Sequence, residues 1–168
     1  NLVDELKTLK ELKETKEIIE NNFKDINIDT ERRIIKLGIG GEFFCVLDHF
    51  TNCDIERRLG ELGVLVENPT NFQYLIKAAV GLGPRREMVK LGLKHVPISS
   101  GGEDLPTIGR VEYFAKKGFL GYITIAPMAC MPEQAALTVV HHISKKYNLP
   151  VIHFSCDENL SSTFVQTR

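Results

Sequence analysis

Cysteine is scarce in this chain. Its four residues, Cys45, Cys53, Cys130 and Cys156, are spread along 168 positions and form no CxxC pair. That spacing excludes a disulfide scaffold and implies a reducing, cytoplasmic setting. Charge of one sign is missing as well. Lys and Arg number 21 against 22 Asp and Glu, for a net charge of −1. Nothing global therefore attracts nucleic acid or an anionic membrane surface. The basic pairs Arg57-Arg58, Arg85-Arg86 and Lys145-Lys146 are too small for a nucleic-acid footprint. No apolar run approaches the roughly 20 residues that span a bilayer, and no signal-peptide pattern is present. GxSxG, P-loop and HExxH elements are absent, which leaves hydrolase and NTPase readings without support.

What is present is ordinary for a globular protein: 43% hydrophobic and 26% charged residues. The length suits one domain with a helical appendage. We read residues 1–28 as an amphipathic helix with its connector, and 29–168 as an α/β domain of a longer polypeptide. The chain starts already in a helical pattern and ends in a polar segment that looks like the entry to another helix.

Leu2, Leu6, Leu9, Leu12, Ile19 and Phe23 recur at helical spacing among many Lys and Glu, which predicts a helix over 2–23. The stripe suits packing on this same domain or docking to a partner. A first strand is predicted over 33–39, followed by a Gly40-Gly41-Glu42 loop. Thr51 or Asn52 would cap the next helix, ending near 60–63. Residues 64–66 read as a second strand. Residues 70–95 read as helix, interrupted at Gly81-Leu82-Gly83-Pro84 because proline breaks a helix interior. A helix over about 105–117 stops at Gly118. A third strand covers 119–125, a helix follows Cys130 and stops before Pro150, and a fourth strand covers 151–155. Apolar strands alternating with helices predict a flavodoxin-like three-layer sandwich with an open, four-stranded, mostly parallel sheet and an added N-terminal helix.

In such a sheet the working loops lie beyond the carboxyl ends of the strands. These would bring together Gly40 to Phe43, Pro127 to Glu133, and Cys156-Asp157-Glu158-Asn159. Cys130 stands at a strand-to-helix turn just before Pro132, which suits the first helical turn. The unpaired N–H groups of a helix start favour a thiolate. Cys130 thus reads as a metal ligand or reactive thiol, the alternative being an inert cysteine in a tight turn. Cys156 reads first as a small apolar residue ending a buried strand and second as a metal ligand near Cys130. Cys45 and Cys53 read as structural, although Cys53 is expected in the first turn of a helix. Glu42 is open between a site acid and a solvated loop residue. Gly38-x-Gly40-Gly41 lacks the third glycine of a dinucleotide fingerprint and reads as a tight turn. The histidines show no zinc-ligand spacing.

Gly41-Glu42-Phe43-Phe44-Cys45-Val46-Leu47-Asp48, LGELGVLV over 59–66, Pro127-Met128-Ala129-Cys130-Met131-Pro132-Glu133, Asp157-Glu158 and Gln166-Thr167-Arg168 follow one another in a telling order. Together they resemble the family of 2-hydroxyacyl-CoA dehydratase D-components and benzoyl-CoA reductase subunits. The closest branch is the dehydratase activase-related proteins, often fused to an ATP-dependent activase module. The resemblance covers about 33–168, and Ala129 replaces the glycine usual before the Cys-Met-Pro-Glu element. It implies flavodoxin-like subdomains holding an oxygen-sensitive iron–sulfur cluster, such as [4Fe-4S], beside an acyl-CoA site. Low-potential electrons would arrive there from an ATP-driven activator. By the same resemblance Cys130 would be a cluster ligand and Glu42 would line the site. Asp157 and Arg168 also match, without an assignable role. The expected partners are the activase module or dehydratase subunits and an acyl-CoA, with neither nucleic acid nor membrane. Such clusters commonly take three or four thiolates. One matching cysteine means the remaining ligands come from outside this chain. Two other readings stand beside this one: a non-catalytic docking domain for the activase partner, and a thiol redox protein using Cys130 and Cys156.

Overall fold

A computed structural model describes residues 8–27, 29 and 31–157. It divides the chain into two compact units, Asn1–Arg33 and Ile34–Arg168. In the first unit, helix α1 (Leu9–Lys24) opens with a capping box. The Thr8 hydroxyl accepts from the Glu11 N–H at 3.2 Å, and the Glu11 carboxylate accepts from the Thr8 N–H at 3.1 Å. The helix expected over 2–23 thus begins at Leu9 in the described part, and positions 2–7 lie outside the described residues.

The second unit holds β1 (Ile35–Gly41), α2 (Phe43–Leu47), α3 (Ile55–Glu61), β2 (Val64–Glu67), α4 (Phe72–Ala79) and α5 (Pro84–Gly92). It continues with α6 (Asp104–Lys116), β3 (Gly121–Pro127), α7 (Met131–Tyr147) and β4 (Val151–Cys156). The four strands pair in the order β2-β1-β3-β4, and every pairing is parallel. This is a flavodoxin-like α/β sandwich. On one face α6 and α7 pack Ile108, Val111, Phe114, Ala136 and Val140 around Tyr122. On the other, Cys45, Val46 and Ile55 from α2 and α3 cover Ile39, Ile123, Ile125 and Phe154. Among the described residues, no helix is long and apolar enough to cross a membrane.

Two local expectations needed correction. β1 starts and ends two residues later than expected, because Gly40 and Gly41 pair with Thr124 and Ile125 and extend the ladder. Gly41 has φ 130°, and a Cβ there would run into the Ile125 backbone. The helix expected to be capped at Thr51 or Asn52 begins at Ile55. Asn52 instead donates its amide to the Cys45 and Val46 carbonyls at 3.1 and 3.0 Å, closing the end of the short helix α2. Cys53 accordingly precedes the helix, at φ 54°, rather than lying in its first turn.

The topology fixes where a site can form. β1 leads through α2 and α3 to β2 on one side, and β3 leads through α7 to β4 on the other. The connections diverge between the carboxyl ends of β1 and β3, leaving a crevice there.

Candidate functional site

A recess of about 180 Å³ lies at that crevice, and Glu42, Cys130 and Glu133 line it together with Glu103 and Arg85. Glu42 follows β1 and caps α2. Its two carboxylate oxygens accept from the Phe44 and Cys45 N–H groups, both at 3.0 Å. Glu42 is thus a capping residue that also walls the recess. Cys130 is half-buried and is the N-cap of α7, with Pro132 in the first turn and no side-chain capping bond. The turn that presents it is held by the Cys130 N–H donating to the Pro127 carbonyl at 3.1 Å. Ala129 takes φ 74° in that turn, the left-handed region that glycine enters freely.

Glu133 follows three residues after Cys130 on α7 and is 1% exposed. Its Oε1 accepts from the Thr107 hydroxyl at 3.0 Å. Its Oε2 has no hydrogen-bond partner among the described residues. Burial raises its carboxyl to about 7, against the opposing pull of the Thr107 bond and of Arg110.

Behind the recess lies a buried charge network. Arg110 is fully buried, donates from Nη2 to the Tyr74 hydroxyl at 2.7 Å and to Glu103 Oε2 at 3.3 Å, and sits over the Tyr74 ring at 5.2 Å. Glu103 also accepts from Arg85 Nε at 2.7 Å, and Arg85 Nη2 donates to the Gly102 carbonyl at 2.9 Å. Arg110 Nη1 and the Tyr122 hydroxyl converge on Gly40 without a well-directed hydrogen bond between them. Asp104 ties down the loop before α6, accepting from the Ser99 and Ser100 hydroxyls at 2.7 and 2.8 Å.

The structure brings Glu42 and Cys130 together and sends Cys156 elsewhere. The Cys156 side chain enters the apolar layer beneath α2, beside Cys45. Burial raises both thiols. Only the backbone of Cys156 serves the Cys130 loop, its carbonyl accepting from the Met128 N–H at 3.0 Å. No hydrogen bond joins Cys130 to Cys156 among the described residues. All four cysteines are free. No group of three or more His, Cys, Asp or Glu is placed to hold a metal ion among the described residues. Three of the five histidines have local partners: His95 pairs with Glu112, His141 contacts the Leu137 carbonyl at 2.7 Å, and His49 lies 3.5 Å from Asp54. Glu158, Gln166, Thr167 and Arg168 lie outside the described residues.

No family model matches this chain, and no curated protein or solved structure matches it.

Sequence reasoning missed Glu103, Arg110, Tyr74 and the burial of Glu133. A signal existed for part of this. Glu103, Thr107, Arg110 and Phe114 follow one another at spacings of four, three and four, so two charges and a hydroxyl share a helix face with a core aromatic.

Proposed function

We propose that this chain is one lobe of an iron–sulfur protein related to 2-hydroxyacyl-CoA dehydratase or its ATP-dependent activator. In this reading Cys130 supplies one thiolate to a cluster used for low-potential electron transfer. The observation that carries it is the placement of a half-buried Cys130 at the start of α7, in a recess at the switch point between β1 and β3. A helix start stabilises negative charge on sulfur and on what it binds. The donor set limits what the chain does alone. A cluster takes several thiolates, whereas Cys156 and Cys45 are turned into the core against each other. Cys130 therefore fits as a single ligand, with the rest supplied by the activase module or a dehydratase subunit. The cluster, when bound, supplies one-electron chemistry on an acyl-CoA. The chain contributes the Cys130 thiol and the capped α2 wall at Glu42.

Anaerobic purification of the parent polypeptide carrying this chain tests the reading. Iron, sulfide and a cluster absorption band that are lost in Cys130→Ser support it. A polypeptide that stays iron-free after anaerobic reconstitution overturns it.

A second reading, a docking domain for the activase partner, draws on α1, where Leu9 is 80% and Phe23 65% exposed. Capture of the activase module that survives deletion of residues 1–25 removes that role from the helix.

A further inference from the structure

The two faces of the sheet are unequally covered. On one, α6 and α7 close over Tyr122 of β3, and Val151 of β4 packs against the same cluster. On the other, α2 and α3 belong to the β1–β2 connection, and the amino-terminal halves of β3 and β4 lie beyond them. An apolar groove of about 720 Å³ runs along α3 there, walled by Leu37, Leu59, Leu62, Leu120, Ile152 and Phe154. Leu62, Leu120 and Ile152 are 75%, 52% and 38% exposed. Contiguous exposed apolar surface of this kind marks an interaction site. Small-ligand sites add convergent polar groups to such a wall, whereas the charges here are tied to one another and to the backbone. Arg57 pairs with Asp54 and Glu61, and Arg58 Nε donates to the Cys53 carbonyl at 2.8 Å. The groove therefore suits an apolar stripe of polypeptide.

Chain connectivity names that stripe. β4 is an edge strand, and its last residue, Cys156, turns its side chain to the face that carries the groove. Residues 158–168 follow it and lie outside the described part. In their sequence Leu160 and Phe164 stand four apart, with Val165 beside Phe164, which makes one helix face in an otherwise polar run. Asn159 suits the N-cap position before Leu160. A helix over 160–168 would reach about 13 Å, against about 20 Å for the six residues of β4. Folded back over β4, it lays Phe164 at the level of Phe154, roughly one helical turn above Ile152. The opposite face at β4 is already filled by α7.

We propose that the groove beside α3 receives this following segment of the same chain, with Leu160, Phe164 and Val165 seated against Leu59, Phe154 and Ile152. The proposal uses neither Cys130 nor its recess, so it stands apart from the iron–sulfur reading. Seating the segment also fixes the loop that leaves β4, beside the Cys156 carbonyl that holds Met128 in the turn before Cys130.

The test is NMR on the full 168-residue chain with carbon-13 methyl groups on Ile, Leu and Val and carbon-13 rings on Phe. The expected result is a set of NOEs from the Phe164 ring to methyl groups of Leu59, Ile123 or Ile152. Phe164→Ser should lose them and keep the NOEs inside the α6–α7 core. Absence of these NOEs in the wild type overturns the proposal. A mixture of labelled and unlabelled chains separates the occupants. NOEs seen only between chains assign the groove to a second copy and overturn it, as does a lipid recovered in stoichiometric amount by solvent extraction of the purified protein. Removing residues 158–168 should raise binding of the apolar dye ANS several-fold, and unchanged dye binding overturns the proposal. Should either variant fail to fold, the wild-type NOEs decide.

Discussion

The Thr107 hydroxyl and the Glu133 carboxyl meet across the interface of α6 and α7, at 3.0 Å. That bond satisfies one oxygen of a carboxyl that burial raises from 4.5 to about 7. A raised acid is favoured in its protonated form by the fold. Its contribution is fully present below the unfolded value and is lost as pH rises from about 4.5 through about 7. That interval corresponds to roughly 3 kcal/mol, of which roughly 2 kcal/mol falls between about pH 5 and about pH 8. Glu133→Gln keeps the acceptor for Thr107 and does not titrate. Urea unfolding of both proteins at the two pH values should show the wild type losing about 2 kcal/mol relative to the variant on going to alkaline pH. Parallel pH profiles would refute the assignment.

Gly40 makes room for the charge network. A Cβ at this position would run into the Tyr122 hydroxyl and come within 3.0 Å of Arg110 Cδ and 3.1 Å of Nη1. Gly40→Ala should destabilise the fold by about 1–3 kcal/mol through overpacking. Tyr122→Phe removes the nearest of these atoms, so the double variant should recover part of the loss. A double-mutant cycle by denaturant unfolding checks this, and strict additivity would show that the hydroxyl is not what the methyl meets.

Much of the fold was legible because β3 is a continuous apolar run set between long helical segments, and because Pro84 opens α5 and Pro150 follows the end of α7. The short helix α2 was not legible: its five residues carry no full period, and its cap is a glutamate rather than the usual small polar residue. The site was half legible. Chain order and parallel topology were enough to bring Glu42 to Cys130, since both follow neighbouring strands. The same logic carried Cys156 to the right edge but could not say which face its side chain takes. Alternation along β4 turns Phe154 and Cys156 into the α2 layer together. The Arg110 network was hidden because its members come from α4, α5, α6 and β3, and no sequence spacing joins them.

Ala129 holds φ 74° in the turn before Cys130. A residue with a Cβ pays about 1–2 kcal/mol there, partly offset by the chain entropy that glycine loses on folding. Ala129→Gly should therefore raise stability by about 0.5–1 kcal/mol, measured by thermal or denaturant unfolding. It should also leave the position of Cys130 intact, because the Cys130 N–H to Pro127 carbonyl bond needs only the backbone. A loss of stability would mean that the alanine methyl makes a contact worth more than the backbone strain.

Cys45 and Cys156 lie together in the apolar layer between α2 and β4, 2% and 9% exposed. Burial raises both, Cys45 far above the ordinary thiol range. Only the thiolate reacts with alkylating or disulfide reagents. In native protein the half-buried thiols, Cys130 and Cys53, should be modified first. Cys45 and Cys156 should react slower by on the order of 100-fold, at a rate set by local opening. Mass-resolved alkylation with and without denaturant measures this, with two fast sites expected in the native protein and four on unfolding. Fast native labelling of Cys45 would mean that α2 opens readily. Because the Glu42 carboxylate holds the first N–H groups of that same helix, the recess wall would then open with it.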